Sequence, residues 1–205
     1  HLAVVRTRPG DLIQLFDGAG REAPATVLRA ERHRIRVAVG AAEDVSREAR
    51  VRVELACALP KPARAEWLFE HATEVGVARF WPIVFARSER AARESRLARW
   101  ERIVAAAAEQ CDRSLLPRVE HERPLDALLA ADLPAERYVA QPAAALPLGP
   151  ARGHTCLILV GPEGGLTDAE QGAVVAAGFA PRGLGPLTLR TETVALVAAV
   201  RLIGP

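Results

Sequence analysis

The segment 157–171 limits the possible folds of this chain more than any other. It reads LILVGPEGGLTDAEQ: four apolar residues, a turn with three glycines and one glutamate, and a polar restart. Thr167 and Glu170 have the spacing of a helix capping box, and Gly178 is placed to end the helix. A buried strand, a bare turn and a capped helix are typical of an α/β domain.

Size and composition indicate a folded protein. The chain has 205 residues, of which 50% are hydrophobic and 25% charged, enough to build a substantial core. No apolar run approaches the roughly 20 residues that cross a bilayer, and the first residues do not resemble a signal peptide. We therefore expect a cytoplasmic protein with no membrane contact. The chain starts at His1 and stops in mid-pattern, so we expect residues to be missing from its ends.

The cysteines and histidines do not form a metal-binding pattern. Cys57, Cys111 and Cys156 stand in apolar surroundings without a CxxC pair, and the five histidines are scattered. We expect the cysteines to be small buried hydrophobic residues, and we expect no disulfide and no metal.

The first 58 residues have the rhythm of short strands. Gly-containing turns separate apolar segments, and the alternation from Arg34 to Val37 is that of a half-buried strand. The expected strands are AVVR, LIQLF, ATVLRA, RIRVAV and VRVELAC. Five such strands indicate a small β-barrel. Two prolines in ALPKPAR then predict a joint at 59–62, which divides the chain into domains 1–58 and 59–205.

Beyond this joint, helical and strand patterns alternate. We predict helices over 63–75 and 96–111, within 125–131, and after Thr167 and Thr193. Between them RFWPIVFA, RYVAQ and CLILV read as strands, and the most apolar of these are typical of a parallel sheet covered on both faces. The last helix is so apolar that we expect it to be buried against a partner subunit.

The glycine turn after CLILV predicts a ligand site, because small molecules bind beyond the carboxyl ends of strands in open α/β sheets. An ordinary tight turn is the alternative. The chain has no GxGxxG after this strand and no GxxxxGK[ST] anywhere, which argues against a dinucleotide fold and a P-loop. A second rigid loop follows in GLGPLTLRTET, where Arg190 to Thr193 are polar residues at the head of an apolar helix. Burying polar groups without hydrogen bonds costs free energy, so polar residues at this place either have a function or destabilise the fold.

Taken together, LVGPEGGLTDAE and LGPLTLRTET resemble the signature of the SPOUT class of RNA methyltransferases. Within that class they are similar to the enzymes that methylate N3 of a uridine in 16S ribosomal RNA. The likeness extends through ALPKPARAEWLFEHATEVGV, ARSER and RWERIVAAAAEQCDR to VVRTRPGD and DGAG, so it covers nearly the whole chain. Pro62 departs from the family, which usually has Gly there.

The resemblance implies a fold, a cofactor and an oligomeric state. It implies a PUA-like β-barrel that binds RNA, followed by an α/β SPOUT domain whose C-terminal segment forms a deep trefoil knot. It also implies S-adenosylmethionine bound between the knot loops, and a homodimer formed through the catalytic domain. The implied cofactor-binding residues are Gln141, Pro142, Gly161, Glu163, Gly164, Gly165, Leu184, Gly185, Leu187, Leu189 and Thr191.

Methylation of uracil N3 requires removal of a proton, because the protonated nitrogen is a poor nucleophile. A base, or a cation that stabilises the uracil anion, should lie near the methyl group. We therefore predict that Arg190 and Glu192 are catalytic, with Glu192 accepting the proton or anchoring that arginine. A helix N-terminal carboxylate is the alternative for Glu192. For Glu163 we favour a structural role, as acceptor for amides of the turn.

The implied partner is 16S ribosomal RNA or the small ribosomal subunit. We predict phosphate contacts at Arg6, Arg8, Arg87 and Arg90. Two other functions remain open from sequence: a ribose 2′-O methyltransferase of the same superfamily, and an RNA-binding protein without enzymatic activity.

Overall fold

The computed structural model describes residues 8–31, 34–88, 96–142 and 144–204. The chain separates into two compact units. The first contains the described residues up to Glu48 together with Asp112–Leu116, and the second contains Ala49–Cys111 and the chain from Pro117 onward.

The first unit contains a four-stranded antiparallel sheet. Its strands are β1 (Leu12–Phe16), β2 (Arg21–Ala30), β3 (Ile35–Val39) and β4 (Glu43–Asp44). They are arranged as β1-β2-β3, with β4 also paired to β2. Three of the five predicted strands are thus confirmed, while AVVR lies outside the described residues.

The buried face of β2 explains why this sheet forms. Ala23, Ala25 and Val27 alternate along the strand and are all buried, which is the pattern of a strand with one face in a core. Glu22 is also buried, and it forms an ion pair with Arg47. The bonds from Arg47 outweigh the effect of burial and lower the pKa of the Glu22 carboxyl.

A short segment from the middle of the chain completes the first unit. The Ser114 hydroxyl donates to the Val45 carbonyl at 2.8 Å, and the buried Arg113 guanidinium pairs with Glu48. The amide of Leu116 donates to Gly18 at 3.0 Å. The sequence pattern did not predict this assignment, because the segment directly follows a helix of the second unit.

The second unit contains a seven-stranded sheet in which all paired strands are parallel. Its strands are β5 (Arg52–Ala58), β6 (Val77–Val84), β7 (Arg118–Val119), β8 (Arg123–Pro124), β9 (Glu136–Ala140), β10 (Thr155–Val160) and β11 (Ala180–Arg182). The order is β11-β9-β10-β5-β6-β7, and β8 also pairs with β6. This arrangement confirms the predicted parallel α/β domain.

The predicted place of VRVELAC in the N-terminal barrel is wrong. This segment forms β5, which lies between β10 and β6 in the parallel sheet, so the division of the chain falls before it, not at residue 58. Arg52 and Glu54 give its start the alternation of a half-buried strand, but residues 55–58 are buried without interruption. Glu54 is accommodated because it accepts a hydrogen bond from the Trp81 indole at 2.7 Å.

Five helices cover the two faces of the parallel sheet. They are α1 (Pro62–Glu74), α2 (Leu97–Gln110), α3 (Leu125–Leu129), α4 (Asp168–Ala176) and α5 (Thr191–Ile203). The apolar sides of α1, α2 and α5 share one core cluster, and those of α3 and α4 share another. The sequence predicted each of these described helices: α1 and α2 from their periodicity, α3 from its pattern, α4 from its capping box and α5 from its apolar composition. The last helix begins at Thr191, two residues before the predicted limit.

The buried side of α5 packs within its own chain. Ala195, Ala198, Ala199 and Leu202 are fully buried in the cluster that also contains residues of β5 and β10. These residues are thus buried by the sheet of the same chain. Val200 on the same helix is 50% exposed, and the expected contact of α5 with a partner subunit stays a prediction.

The three cysteines are unequally buried. Burial raises the pKa of Cys57 and of Cys156 to about 12, so neither thiol ionises near neutral pH. Cys111 is only half-buried, contrary to the expectation for all three. No helix in the described part of the chain is both long and apolar enough to span a membrane.

Candidate active site

A cavity of about 320 Å³ lies beyond the carboxyl ends of the neighbouring strands β9 and β10. Four parts of the chain contribute to it: the end of β9 with residues 141–142, the glycine turn after β10, one side of α4, and the loop that leads into α5. The glycine turn and this last loop are separated along the chain, but they line the same space. The two loops therefore lie together at one cavity, as predicted.

The predicted cofactor residues gather around this cavity with one exception. Those that line it are Gln141, Pro142, Gly161, Glu163, Gly165, Leu184, Gly185, Leu187, Leu189 and Thr191. Gly164 does not belong to the lining. A Cβ at Gly164 would lie 3.4 Å from the Cβ of Arg87, so this glycine faces the loop after β6. Whether these residues bind a cofactor stays a prediction.

The conformation of the glycine turn depends on two of its glycines. Gly165 has a φ of 68°, and its amide donates to the Pro162 carbonyl at 2.8 Å. This left-handed conformation favours glycine over any residue with a side chain. At Gly161 a Cβ would lie 2.3 Å from a terminal methyl of Leu166, so a larger residue would displace a side chain that itself lines the cavity.

The loop after β6 holds the glycine turn in place. Arg87 donates from Nη1 to the carbonyls of Gly164 at 2.8 Å and of Leu166 at 3.4 Å. The amide of Ala86 donates to Glu170 Oε1 at 2.7 Å. Arg87 was predicted to contact RNA; the structure shows it bound to the turn, and a contact with RNA stays a prediction.

The predicted capping box at the start of α4 is confirmed. Thr167 accepts from the Glu170 amide, and the Glu170 carboxylate accepts from the Thr167 amide at 2.8 Å. Partial burial raises the pKa of Glu170, but the hydrogen bonds from Ala86 and Thr167 prevail and lower it below its ordinary value. The charged carboxylate thus ties α4 and the glycine turn to the loop after β6.

The second loop is anchored at its start. The amide of Gly183 donates to Leu146 and its carbonyl accepts from Leu148, both at 2.9 Å. A Cβ at Gly183 would lie 3.2 Å from the Ala144 carbonyl oxygen, so the close approach of these segments suits glycine. Further along, Gly185 has a φ of 130°, and Leu187 is 77% exposed.

The two predicted catalytic residues differ in their surroundings. Neither residue lines the cavity. Arg190 is the exposed N-cap residue of α5. Glu192 is buried, with only 5% of its surface exposed. Its Oε1 lies 3.5 Å from Arg64 Nη1, while its buried Oε2 has no hydrogen-bond partner among the described residues. The arginine that Glu192 anchors in this structure is therefore Arg64.

Arg64 was not predicted from the sequence. It lies in the first turn of α1, and the same Nη1 atom is 3.6 Å from Glu163 Oε1, a carboxylate of the cavity wall. The position of Arg64 in the sequence could have predicted its place in the site. Because α1 begins soon after β5 ends, the first turn of α1 lies at the carboxyl edge of the sheet. Placing β5 in the other domain concealed this relation.

Several apolar lining residues were also missed. They are Val139, Ala140, Val160, Pro162, Leu166, Val174, Val175 and Val194. Most stand at the ends of β9 and β10 or on α4, where ordinary core residues have the same sequence pattern. The polar residues Gln171 and Thr188 complete the lining.

Of the predicted RNA contacts, Arg8 and Arg87 are described, and neither lines this cavity. Arg8 has an exposed side chain, and its amide donates to Asp11 at 2.7 Å. Arg6 and Arg90 lie outside the described residues. Among the residues that are described, no group of three or more potential ligands is placed to hold a metal ion.

Two family models match the chain. Residues 47–203 match an RNA methyltransferase domain, and residues 1–39 match the PUA domain of RNA methyltransferases. Their bounds agree with the division of the chain before β5.

Named relatives match over almost the whole chain. The ribosomal RNA small subunit methyltransferase E of Mycobacterium bovis is 35% identical, with 97% of this chain and 80% of the relative covered. The protein of the same name from Bacillus subtilis is 31% identical, covering 95% and 82%.

Solved structures share the fold. Ribosomal RNA small subunit methyltransferase E from Neisseria gonorrhoeae, bound to S-adenosylmethionine, matches with a TM-score of 0.90 and 31% identity, covering 97% of this chain and 85% of the other. A methyltransferase from Legionella pneumophila with bound S-adenosylmethionine has a TM-score of 0.87 and 29% identity, covering 97% and 84%. The chain therefore belongs to the ribosomal RNA small subunit methyltransferase E family.

Proposed function

We propose that this protein methylates N3 of a uridine in 16S ribosomal RNA, with S-adenosylmethionine as the methyl donor. The observation that carries the proposal is the cavity at the carboxyl edge of the sheet, where two loops distant in sequence meet at the start of α5. The second residue of α5 is the buried Glu192. Membership in the family and the donor bound to two similar structures support it.

The residues of the cavity fit such a donor. A volume of about 320 Å³ is at the lower end of the range for small-molecule sites. A Cβ at Gly165 or Gly185 would meet nothing within 4 Å, so both glycines leave space over exposed backbone. Leu184, Leu187 and Leu189 offer the apolar contacts that a purine needs. When bound, S-adenosylmethionine supplies a methyl group on a sulfonium sulfur.

The head of α5 provides the groups for proton removal. Glu192 accepts the N3 proton of the uracil, and Arg190 stabilises the negative charge that develops on a uracil oxygen. N3 then forms its bond to the methyl carbon as the sulfur–carbon bond breaks. The position of Glu192 supports this role, because it is the second residue of α5 and follows Thr191, which lines the cavity.

Holding the target base requires a wider surface. N3 lies on the pairing edge, so the uridine must be unpaired or swung out of its helix. We propose that the N-terminal unit binds the surrounding RNA, with Arg6, Arg8, Arg87 and Arg90 contacting phosphates. We further propose that the N-terminal sheet closes into a barrel, that the C-terminal segment is knotted, and that two catalytic domains pair as a homodimer in the cytoplasm.

Nucleoside mass spectrometry tests the reaction. Purified protein is incubated with S-adenosylmethionine and, in separate reactions, 16S ribosomal RNA or small subunits from a strain that lacks the enzyme. We expect 3-methyluridine in the digested RNA. Appearance of a ribose-methylated nucleoside instead would overturn the proposed position of methylation, and no saturable heat in calorimetry with S-adenosylmethionine would overturn the proposed enzyme.

A further inference from the structure

Two carboxylates near the start of α5, those of Glu163 and Glu192, lie close to the side chain of Arg64. Arg64 Nη1 lies 3.6 Å from Glu163 Oε1 on the glycine turn and 3.5 Å from Glu192 Oε1 on α5. Arg64 itself belongs to α1. One guanidinium nitrogen is thus shared by two carboxylates from two different parts of the chain.

Glu192 depends on this contact. It is 5% exposed, and within the described part of the chain its Oε2 has no hydrogen-bond partner. Its Oε1 has the long contact with Arg64 Nη1, which is both an ion pair and a hydrogen bond. A buried carboxylate is costly to leave unpaired, so the orientation and charge of Glu192 are sensitive to the loss of Arg64.

We propose that Arg64 is a positioning residue for the methyl-transfer reaction: it holds the Glu192 carboxylate in place and joins it to Glu163 of the cavity wall. This inference rests on the proposed function, in which Glu192 accepts the proton of the target base. Arg64 is partly exposed, with 36% of its side chain accessible, whereas Glu192 is buried.

The pairing predicts how substitutions affect the kinetics. Arg64→Gln is expected to lower kcat at least roughly 30-fold while the dissociation constant for S-adenosylmethionine changes less than about 3-fold, because the loss falls on the proton acceptor and not on the cavity wall. Arg64→Lys retains a cation and should recover part of kcat.

The comparison of these two variants supplies a readout that a merely structural role would not move. Gln and Lys both keep a long polar side chain at this position of α1, but only Lys keeps a cation next to Glu192. A higher kcat in Arg64→Lys than in Arg64→Gln therefore reports the charge contact.

A double-mutant cycle with Glu192→Gln is the decisive experiment. If Arg64 acts through Glu192, the double variant has nearly the kcat of Glu192→Gln alone. The matched control is Arg99→Gln, which removes an exposed ion pair between Arg99 and Glu66, 2.7 Å long, that links α2 to α1; we expect it to change kcat less than about 2-fold.

Multiplicative losses in the cycle, or a kcat in Arg64→Lys no higher than in Arg64→Gln, would overturn the role of Arg64. The proposed function fails in a different way, since it depends on which nucleoside the parent protein forms. The cycle is scored on whatever methylated product appears, so each proposal can fail alone.

Discussion

The two loops that line the cavity are built differently. The glycine turn is held from both sides: Arg87 binds two of its carbonyls, and the Glu170 carboxylate joins the following helix to Ala86. Residues 185–189 of the second loop receive no hydrogen bond from the described chain, and Gly185 to Thr188 are exposed. One wall of the site is therefore preformed, while the other has few interactions that fix it before a ligand arrives.

The largest effect should come from breaking the preformed wall at Gly165. Gly165→Val places a β-branched residue at a φ of 68°, a conformation that such residues strongly disfavour. We expect affinity for S-adenosylmethionine to fall by about 100-fold or more. Calorimetry measures the effect. Gly149→Val, at an exposed glycine without a positive φ and with open space at its Cβ, is the control and should bind normally.

A smaller loss is expected when the support behind the glycine turn is removed. Arg87→Ala deletes the hydrogen bonds to Gly164 and Leu166, and we expect about 10-fold weaker binding of S-adenosylmethionine. Arg102→Ala is matched, because Arg102 donates to the Ala98 carbonyl on α2, and it should leave this affinity unchanged. If Arg87 acts on RNA alone, cofactor affinity stays constant and the salt dependence of RNA binding weakens.

The capping carboxylate should affect stability more than binding. Glu170→Ala removes the bonds to Ala86 and Thr167, and we expect a loss of about 1 kcal/mol in the free energy of unfolding at pH 7. Because the folded state lowers the pKa of Glu170, this stabilisation is present above the ordinary carboxyl pKa and disappears as pH falls through the lowered value. Denaturant titrations should show the free energies of unfolding of parent and variant converging as the pH falls. A difference that does not change with pH would contradict a stabilisation by the charged carboxylate.

The smallest effect should come from the second loop. Leu187 is 77% exposed, so Leu187→Ala should change the free energy of unfolding by less than about 0.5 kcal/mol. It should weaken S-adenosylmethionine binding only about 3-fold, through lost apolar contact. Leu12→Ala, at an 82% exposed leucine of the first unit, should change neither. A greater loss of affinity at Leu187 than at Gly165 would reverse the comparison between the two walls.

Local patterns predicted most of the fold. The helix from Pro62 to Glu74, the capping box at Thr167 and the buried strand CLILV follow from periodicity and cap chemistry, which act over a few residues. The assignment of β5 failed because alternation at its start is compatible with either sheet. Only its pairing with β10 and β6 distinguishes them, and pairing is a long-range property.

The candidate site also contains residues that the sequence could predict and residues that it could not. Its glycines and the polar residues before α5 are visible in the sequence because special backbone geometry and buried polarity restrict residue choice. Arg64 and the valines at the strand ends are not visible, since an arginine in a helical first turn and a valine at a strand end are common everywhere. The place of residues 112–116 in the first unit could not be predicted either, because this segment directly follows a helix of the second unit.

By itself the sequence determined the described helices, the long strands, the positions of the two glycine loops and, through its motifs, the family. It did not predict the short strands β4, β7, β8 and β11. The tertiary structure decided which strand stands beside which, that the two loops enclose one cavity, and that Arg64 rather than Arg190 meets Glu192. The physical reason is the distance along the chain over which each interaction acts. Backbone propensity and capping act between near neighbours in the sequence. The contact of three charged side chains from α1, the glycine turn and α5 depends instead on the order of the strands in the whole sheet.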